Sequence, residues 1–237
     1  MKLQGVELTK EVLAAHLEWP GIRSAAKEEI DAGIDKAIQY GFHAVYCTHT
    51  FWQRYMADRL KGTGILVAAP FDHPYGMADP KAKTAMAKAA YENGVRTCDL
   101  MPSLGAIELR DYKKLVGSYK CVADVFEEGE VKGFCDCTGD PDIMNMCIDA
   151  IIEAGCTHVK SYDAKGVGIP MNRIQAVLKR LEGTGVKLKA SGCGKFWSTA
   201  VVVGALNAGA EYSSMSNAPQ IVDELPIFEA LYSSVFA

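Results

Sequence analysis

The strongest constraint on the fold is a unit that recurs along most of the chain: a short apolar strand, a loop, an amphipathic helix and a glycine. Over residues 25–41 the apolar positions Ile30, Ile34, Ala37 and Ile38 recur at helical spacing, and Gly41 stands where a helix C-cap glycine belongs. A strand follows at 43–47. Further strands are predicted at 65–71, 96–101, 131–137, 157–161, 186–191 and 211–215, with helices at about 80–93, 109–126, 141–155, 171–182, 196–209 and 221–236. Residues 10–20 begin helical and then either finish a helix or form a short strand, with an eighth strand expected near 13–17. Strands that alternate with helices pair in parallel, and eight such units close a (β/α)8 TIM barrel, here a single domain over residues 1–237. The rival, an open doubly wound sheet, usually carries a glycine-rich phosphate loop after its first strand, and Cys47-Thr48-His49-Thr50-Phe51 is no such loop.

The chain has 237 residues, 49% of them hydrophobic and 23% charged, enough for one large core. Its net charge of −4 offers polyanions no bulk attraction, so nucleic acid is not an expected partner and any phosphate affinity must be local. The N-terminus lacks a signal-peptide pattern and no apolar run approaches the ~18 residues of a membrane span, which points to a cytoplasmic protein with no membrane partner. In a reducing compartment the eight cysteines are free thiols. Cys135-x-Cys137 has no second Cys/His pair at zinc spacing, so no zinc site is expected there and the two read as free core thiols.

Chemistry is sought at the C-terminal ends of the strands, on the inward faces. Alternation puts Thr97, Asp99 and Met101 together, Lys132 with Phe134 and Asp136, His158 with Lys160 and Tyr162, and Lys187 with Lys189 and Ser191. Lys160 and Lys189 lie on consecutive strands, so each ammonium makes the other harder to keep charged, and a neutral amine attacks carbonyls. A buried ion-pair network is the competing reading for any one of these lysines. Gly192-Cys193-Gly194-Lys195 and Ser213-Ser214-Met215-Ser216-Asn217 end the last two strands and, with Lys165, make a plausible phosphate cradle. Cys47 shares a face with His43 and Val45 and ends its strand at the rim, where it lines the pocket or packs in the core. His73 and His49 read as surface histidines of rim loops.

The order of these segments resembles the deoxyribose-phosphate aldolase family, class I aldolases with a (β/α)8 barrel. The likeness rests on Phe71-Asp72-His73-Pro74-Tyr75-Gly76, Cys98-Asp99-Leu100-Met101, the 105–112 segment, Val131-Lys132-Gly133-Phe134-Cys135-Asp136, Gly155-Cys156-Thr157-His158-Val159-Lys160-Ser161 and Leu188-Lys189-Ala190-Ser191-Gly192. It implies that Lys160 forms an imine with acetaldehyde, Lys189 depresses its pKa and Asp99 moves protons, with Lys132 close to both Lys189 and Asp99 and with no metal or organic cofactor. It further implies phosphate binding at Lys165, Gly192, Gly194, Lys195, Ser216 and Asn217, with small aldehyde and sugar-phosphate substrates and glyceraldehyde 3-phosphate as acceptor. The chain departs from the family in offering no first-strand aspartate over residues 14–20. It has Ser161-Tyr162-Asp163-Ala164 where a threonine-serine-threonine-glycine run is usual, Lys195 for an arginine and Ser214 for a glycine. The alternatives are a different or non-phosphorylated acceptor, a barrel that binds a phosphorylated metabolite without turnover, and metal-dependent lyase chemistry using His73. An exposed apolar helix face would favour a homodimer or higher homo-oligomer.

Overall fold

A computed structural model describes residues 1–192 and 198–236. A small antiparallel hairpin, β1 (Lys2–Leu3) and β2 (Val6–Glu7), precedes a one-turn helix, α1 (Lys10–Ala14), capped by the Thr9 side chain. The barrel strands are β3 (Leu17–Trp19), β4 (Ala44–Tyr46), β5 (Leu66–Phe71), β6 (Thr97–Leu100), β7 (Glu130–Asp136), β8 (His158–Tyr162), β9 (Lys187–Ala190) and β10 (Tyr212–Ser214). They pair in parallel in the order β10-β3-β4-β5-β6-β7-β8-β9 and close on themselves. The ambiguity over residues 10–20 resolves into both readings: the helix ends at Ala14, and the first barrel strand starts later than expected, at Leu17.

Around the barrel lie α2 (Lys27–Tyr40), α3 (Thr50–Leu60), α4 (Pro80–Glu92), α5 (Leu104–Glu108), α6 (Tyr112–Ala123), α7 (Pro141–Glu153), α8 (Met171–Leu181), α9 (Thr199–Asn207), α10 (Ala218–Asp223) and α11 (Leu225–Phe236). Gly41 ends α2 in the left-handed conformation, with its N–H donating to Ala37 O. The predicted helix over 109–126 is shorter: α5 precedes it, Arg110 takes a positive φ, and Asp111 caps a new helix at Tyr112. The closing helix is likewise divided, between Asp223 and Leu225.

Strand alternation splits the barrel into two unlike layers. Outward residues such as Val45, Cys47, Val67, Phe71, Cys98, Leu100, Val131, Val159 and Leu188 are buried against the helices in the main apolar core. The inward residues are mostly polar, where barrel interiors are usually filled by branched aliphatics. Glu18, Thr97, Asp99, Lys132, His158, Lys160 and Lys189 are all buried, beside the small side chains of Ala44 and Ala68. Those alanines leave room for the long lysine stems.

Candidate active site

Register sets the levels inside the barrel. Lys160 pairs directly with Lys189, and Phe134 pairs with Lys160 on the other side. Asp99 pairs with Lys132, and Lys132 with His158, one level nearer the N-terminal end. Side chains bridge the levels: Lys160 Nζ donates to Asp99 Oδ2 at 2.5 Å, and Lys189 Nζ donates to Asp99 Oδ1 at 2.8 Å and to Glu18 Oε2 at 2.5 Å. The two lysines expected to meet therefore do so around one carboxylate. The Ser161 hydroxyl ties the strand ends together above them, donating to Ser191 O and accepting from Ser191 N–H, both at 2.8 Å.

Burial pushes the Lys160 ammonium down, Asp99 pushes back and Lys189 adds to the depression, leaving its pKa at about 8 against an ordinary 10.5. Burial opposes ionisation of Asp99, yet the Lys160 and Lys189 ammoniums outweigh it and hold the carboxyl below its ordinary value. Glu18 follows the same pattern, with Lys132 and Lys189 overcoming its burial.

Two of the groups that complete this cluster were not picked out as candidates from the sequence. Glu18 is fully buried and supplies the first-strand carboxylate that the search for an aspartate over residues 14–20 did not find. A lone acid in the otherwise apolar Leu17–Trp19 strand was the available signal. Tyr46 is the other: its hydroxyl bonds Asp99, Glu18 at 2.9 Å and the Lys189 ammonium. Cys47, expected beside the pocket, faces the opposite way into the helical layer, because Ala44 and Tyr46 occupy the inward positions of β4. Its Sγ donates to His49 O, and burial raises the thiol to about 11.

Lys132 is inward as expected, its backbone one level below Lys160 and Lys189, and its ammonium shares Glu18 with Lys189. Its ammonium bonds Thr97, Glu130 Oε2 at 2.5 Å and Glu18 Oε1 at 3.0 Å. Burial works against its charge, but Glu18, Glu130 and Asp99 together raise its pKa above the ordinary lysine value. Its link to Asp99 is electrostatic only. Glu18, His43 and Glu130 bring three ligand-type atoms within 4.8 Å of one another, but Lys132 already pairs with both carboxylates and Lys189 with Glu18, so two ammoniums balance the two acids and a further cation is disfavoured.

Above the cluster opens a cavity of about 430 Å³ whose floor is Lys160, Asp99 and Tyr46. Phe134 and His73 form one wall, their rings stacked 5.2 Å apart, so His73, exposed on its rim loop as expected, also lines the cavity. Burial, and then the charge of Lys160, lowers the His73 pKa. The opposite wall is Gly192, Ser216 and Asn217, as expected, joined by Arg23 from the loop after β3. Gly192 has φ +83°, and a Cβ there would meet Ile169 Cδ1 at 2.8 Å and Asp163 N at 3.0 Å, so the close approach of the two rim loops requires glycine. Lys165 is exposed on the loop after β8 and does not line the cavity. Gly194 and Lys195 lie outside the described residues. Asp163 is turned to its own loop, accepting the N–H groups of Val167 at 3.2 Å and Gly168 at 2.7 Å, so its charge is not aimed at a ligand. Tyr162 packs edge-on against Phe134.

No family model matches the chain. Among proteins of known activity, it is 28% identical over 222 residues to the deoxyribose-phosphate aldolase of Methanothermobacter thermautotrophicus, covering 91% of this chain and 96% of the relative. The Thermococcus kodakarensis deoxyribose-phosphate aldolase is 26% identical over 225 residues, 92% of this chain and 99% of that one. Among solved structures, an aldolase called QR15 superposes with a TM-score of 0.80 at 17% identity, over 92% of this chain and 98% of that chain. The deoxyribose phosphate aldolase of Aeropyrum pernix, described as tetrameric, gives 0.76 at 21% identity, with 92% of each chain covered. The chain is thus related along nearly its whole length to deoxyribose-phosphate aldolases and shares their barrel fold. Among the described residues no helix is long and apolar enough to cross a membrane.

Proposed function

We propose that this relative of the deoxyribose-phosphate aldolases is itself a class I aldolase, a lyase that reversibly cleaves 2-deoxyribose 5-phosphate into acetaldehyde and glyceraldehyde 3-phosphate. The observation that carries the reading is the Lys160 amine at the floor of an open cavity, depressed to about 8 and held 2.5 Å from a buried carboxylate. In cleavage, neutral Lys160 attacks the C1 aldehyde of the open-chain sugar, and loss of water leaves an iminium. The C3 hydroxyl then loses its proton, the C2–C3 bond breaks and its electron pair moves through the new C1–C2 double bond towards nitrogen, releasing glyceraldehyde 3-phosphate. The enamine takes a proton at C2, and water frees acetaldehyde from the lysine. Asp99, next to the reacting nitrogen, is the group placed to give and take these protons.

Arg23, Gly192, Ser216 and Asn217 ring the far end of the same cavity, and we assign the phosphate of the acceptor to them. We give Arg23 the part that Lys165 was expected to play, because its guanidinium lines the cavity, where it can pair with a phosphate, and Lys165 does not line it. What favours turnover over mere binding is that the depressed Lys160 amine, about one in ten neutral at pH 7, supplies a nucleophile beside a carboxylate, which a binding site does not require.

The test is borohydride trapping with acetaldehyde followed by peptide mapping. Labelling of Lys160, together with loss of aldol cleavage in Lys160→Ala, is the expected result. Full activity in that variant, or a label elsewhere, refutes the assignment.

A further inference from the structure

Tyr46 is not accounted for by the imine chemistry. We infer that Tyr46 is a positioning residue that acts through Asp99, swinging its single hydroxyl proton between Asp99 and Glu18 as Asp99 gains and loses a proton. The inference rests on the aldolase reading, because that reaction requires Asp99 to cycle between carboxylate and acid.

The argument is a proton inventory. The Tyr46 hydroxyl touches one oxygen of each carboxylate, Asp99 Oδ2 and Glu18 Oε2, and also the Lys189 ammonium. Lys189 contributes three protons, directed to Glu18 Oε2 at 2.5 Å, to the Asp99 carboxylate at 2.8 Å (Oδ1) and 3.1 Å (Oδ2), and to the phenol oxygen. Of the two contacts between phenol and carboxylate, only one can hold the phenol's proton while both acids are ionised. When Asp99 removes a proton from the donor methyl, the C–H electron pair forms the enamine double bond and the proton rests on Asp99. Asp99 can then donate to the phenol oxygen while the phenol donates to Glu18, so both contacts are filled. The reverse shift follows when Asp99 returns the proton to carbon. Tyr46 is buried, and either arrangement is reached by rotating its hydroxyl about the C–O bond. Removing the hydroxyl leaves protonated Asp99 without an acceptor on this side and ionised Asp99 with one donor fewer, its lysines remaining.

Tyr46→Phe keeps the ring, and both carboxylates retain their lysine partners: Asp99 keeps Lys160 and Lys189, and Glu18 keeps Lys132 and Lys189. The experiment follows exchange of acetaldehyde methyl hydrogens for deuterium in D₂O, a half-reaction that needs no acceptor, alongside borohydride trapping at Lys160. The expected result is a fall of about tenfold or more in exchange kcat, with the acetaldehyde KM and the trapping rate within about threefold of the parent. Exchange that stays within twofold overturns the role given to Tyr46. So does an equal fall in exchange and trapping, which would mark a general disturbance of the lysine site. A parent enzyme that neither exchanges nor traps refutes the aldolase reading itself, a result distinct from the others.

Discussion

Replacing Lys189 by methionine keeps the stem and removes the charge, and it should move the titration of Lys160 upward. Both ammoniums reach Asp99 Oδ2, at 2.5 and 3.1 Å, so their nitrogens are at most about 5.6 Å apart with the two contacts laid end to end. At an effective dielectric near 20, like charges at that distance repel by about 3 kcal/mol, roughly two pH units. Part of that is offset as Asp99 and Glu18 relax, but both carboxylates also lose a counter-ion, and their freed negative charge favours a protonated Lys160 as well. The two effects have the same sign. The parent, at about 8, has roughly one Lys160 in ten neutral at pH 7. A rise of one to two units lowers that to about one in a hundred or fewer, and imine formation with acetaldehyde should slow by roughly 10- to 100-fold at pH 7. The deficit should shrink towards parity near pH 10, where both proteins are deprotonated. The assay is the rate of the reductively trapped adduct from pH 6 to 10, with circular dichroism to confirm that the variant is folded. A midpoint that stays near 8, or falls, refutes the claim that Lys189 helps keep Lys160 neutral.

Arg23→Gln should raise KM for glyceraldehyde 3-phosphate by about tenfold or more while leaving the rate with unphosphorylated glyceraldehyde within about twofold, since a charge-assisted contact contributes about 1.5–3 kcal/mol; steady-state kinetics with both acceptors decides it. Lys83 is buried beneath the rim loop that carries His73, bonding Asp72 Oδ2 at 2.9 Å and Met101 O at 2.8 Å. Lys83→Met removes the ammonium partner of Asp72 but leaves its carboxylate the N–H groups of Met77 and Ala78, so losing a charged hydrogen bond should cost about 1.5–3 kcal/mol and thermal unfolding should move down by roughly 5 °C.

The parts of the site legible from sequence are those where a charge alternates with apolar neighbours over several residues. Val159 and Ser161 flank Lys160, and Leu188 and Ala190 flank Lys189, so the inward parity of both lysines could be read without a structure. The helix-and-strand order was legible for the same reason, because each unit carries its own amphipathic pattern. Strands of three residues carry no such signal. In Ala44–Tyr46 both faces are apolar or aromatic, and nothing local says that Tyr46 rather than Cys47 faces the interior. Leu17–Trp19 hides Glu18 in the same way, directly after a helix that ends only three residues earlier. Arg23 lies beyond a strand end, where alternation has stopped.

Parity within a strand also says nothing about height in the barrel, and that limit explains Lys132. Its pattern in β7 matches that of Lys160 in β8: a lysine facing inward, flanked by small or apolar residues. Only the pairing between strands separates them. Phe134 pairs with Lys160, which puts Lys132 two residues lower, between Asp99 and His158, with its ammonium turned to Glu130 and Thr97. Height then decides ionisation. Lys132 sits between two carboxylates and is held charged, while Lys160 shares Asp99 with a second ammonium and is pushed towards neutrality. Two lysines with the same sequence pattern thus take opposite parts, one as the fixed counter-ion of Glu18 and Glu130 and the other as the candidate nucleophile. The difference comes from register, which is a property of the closed barrel and is written in neither strand alone.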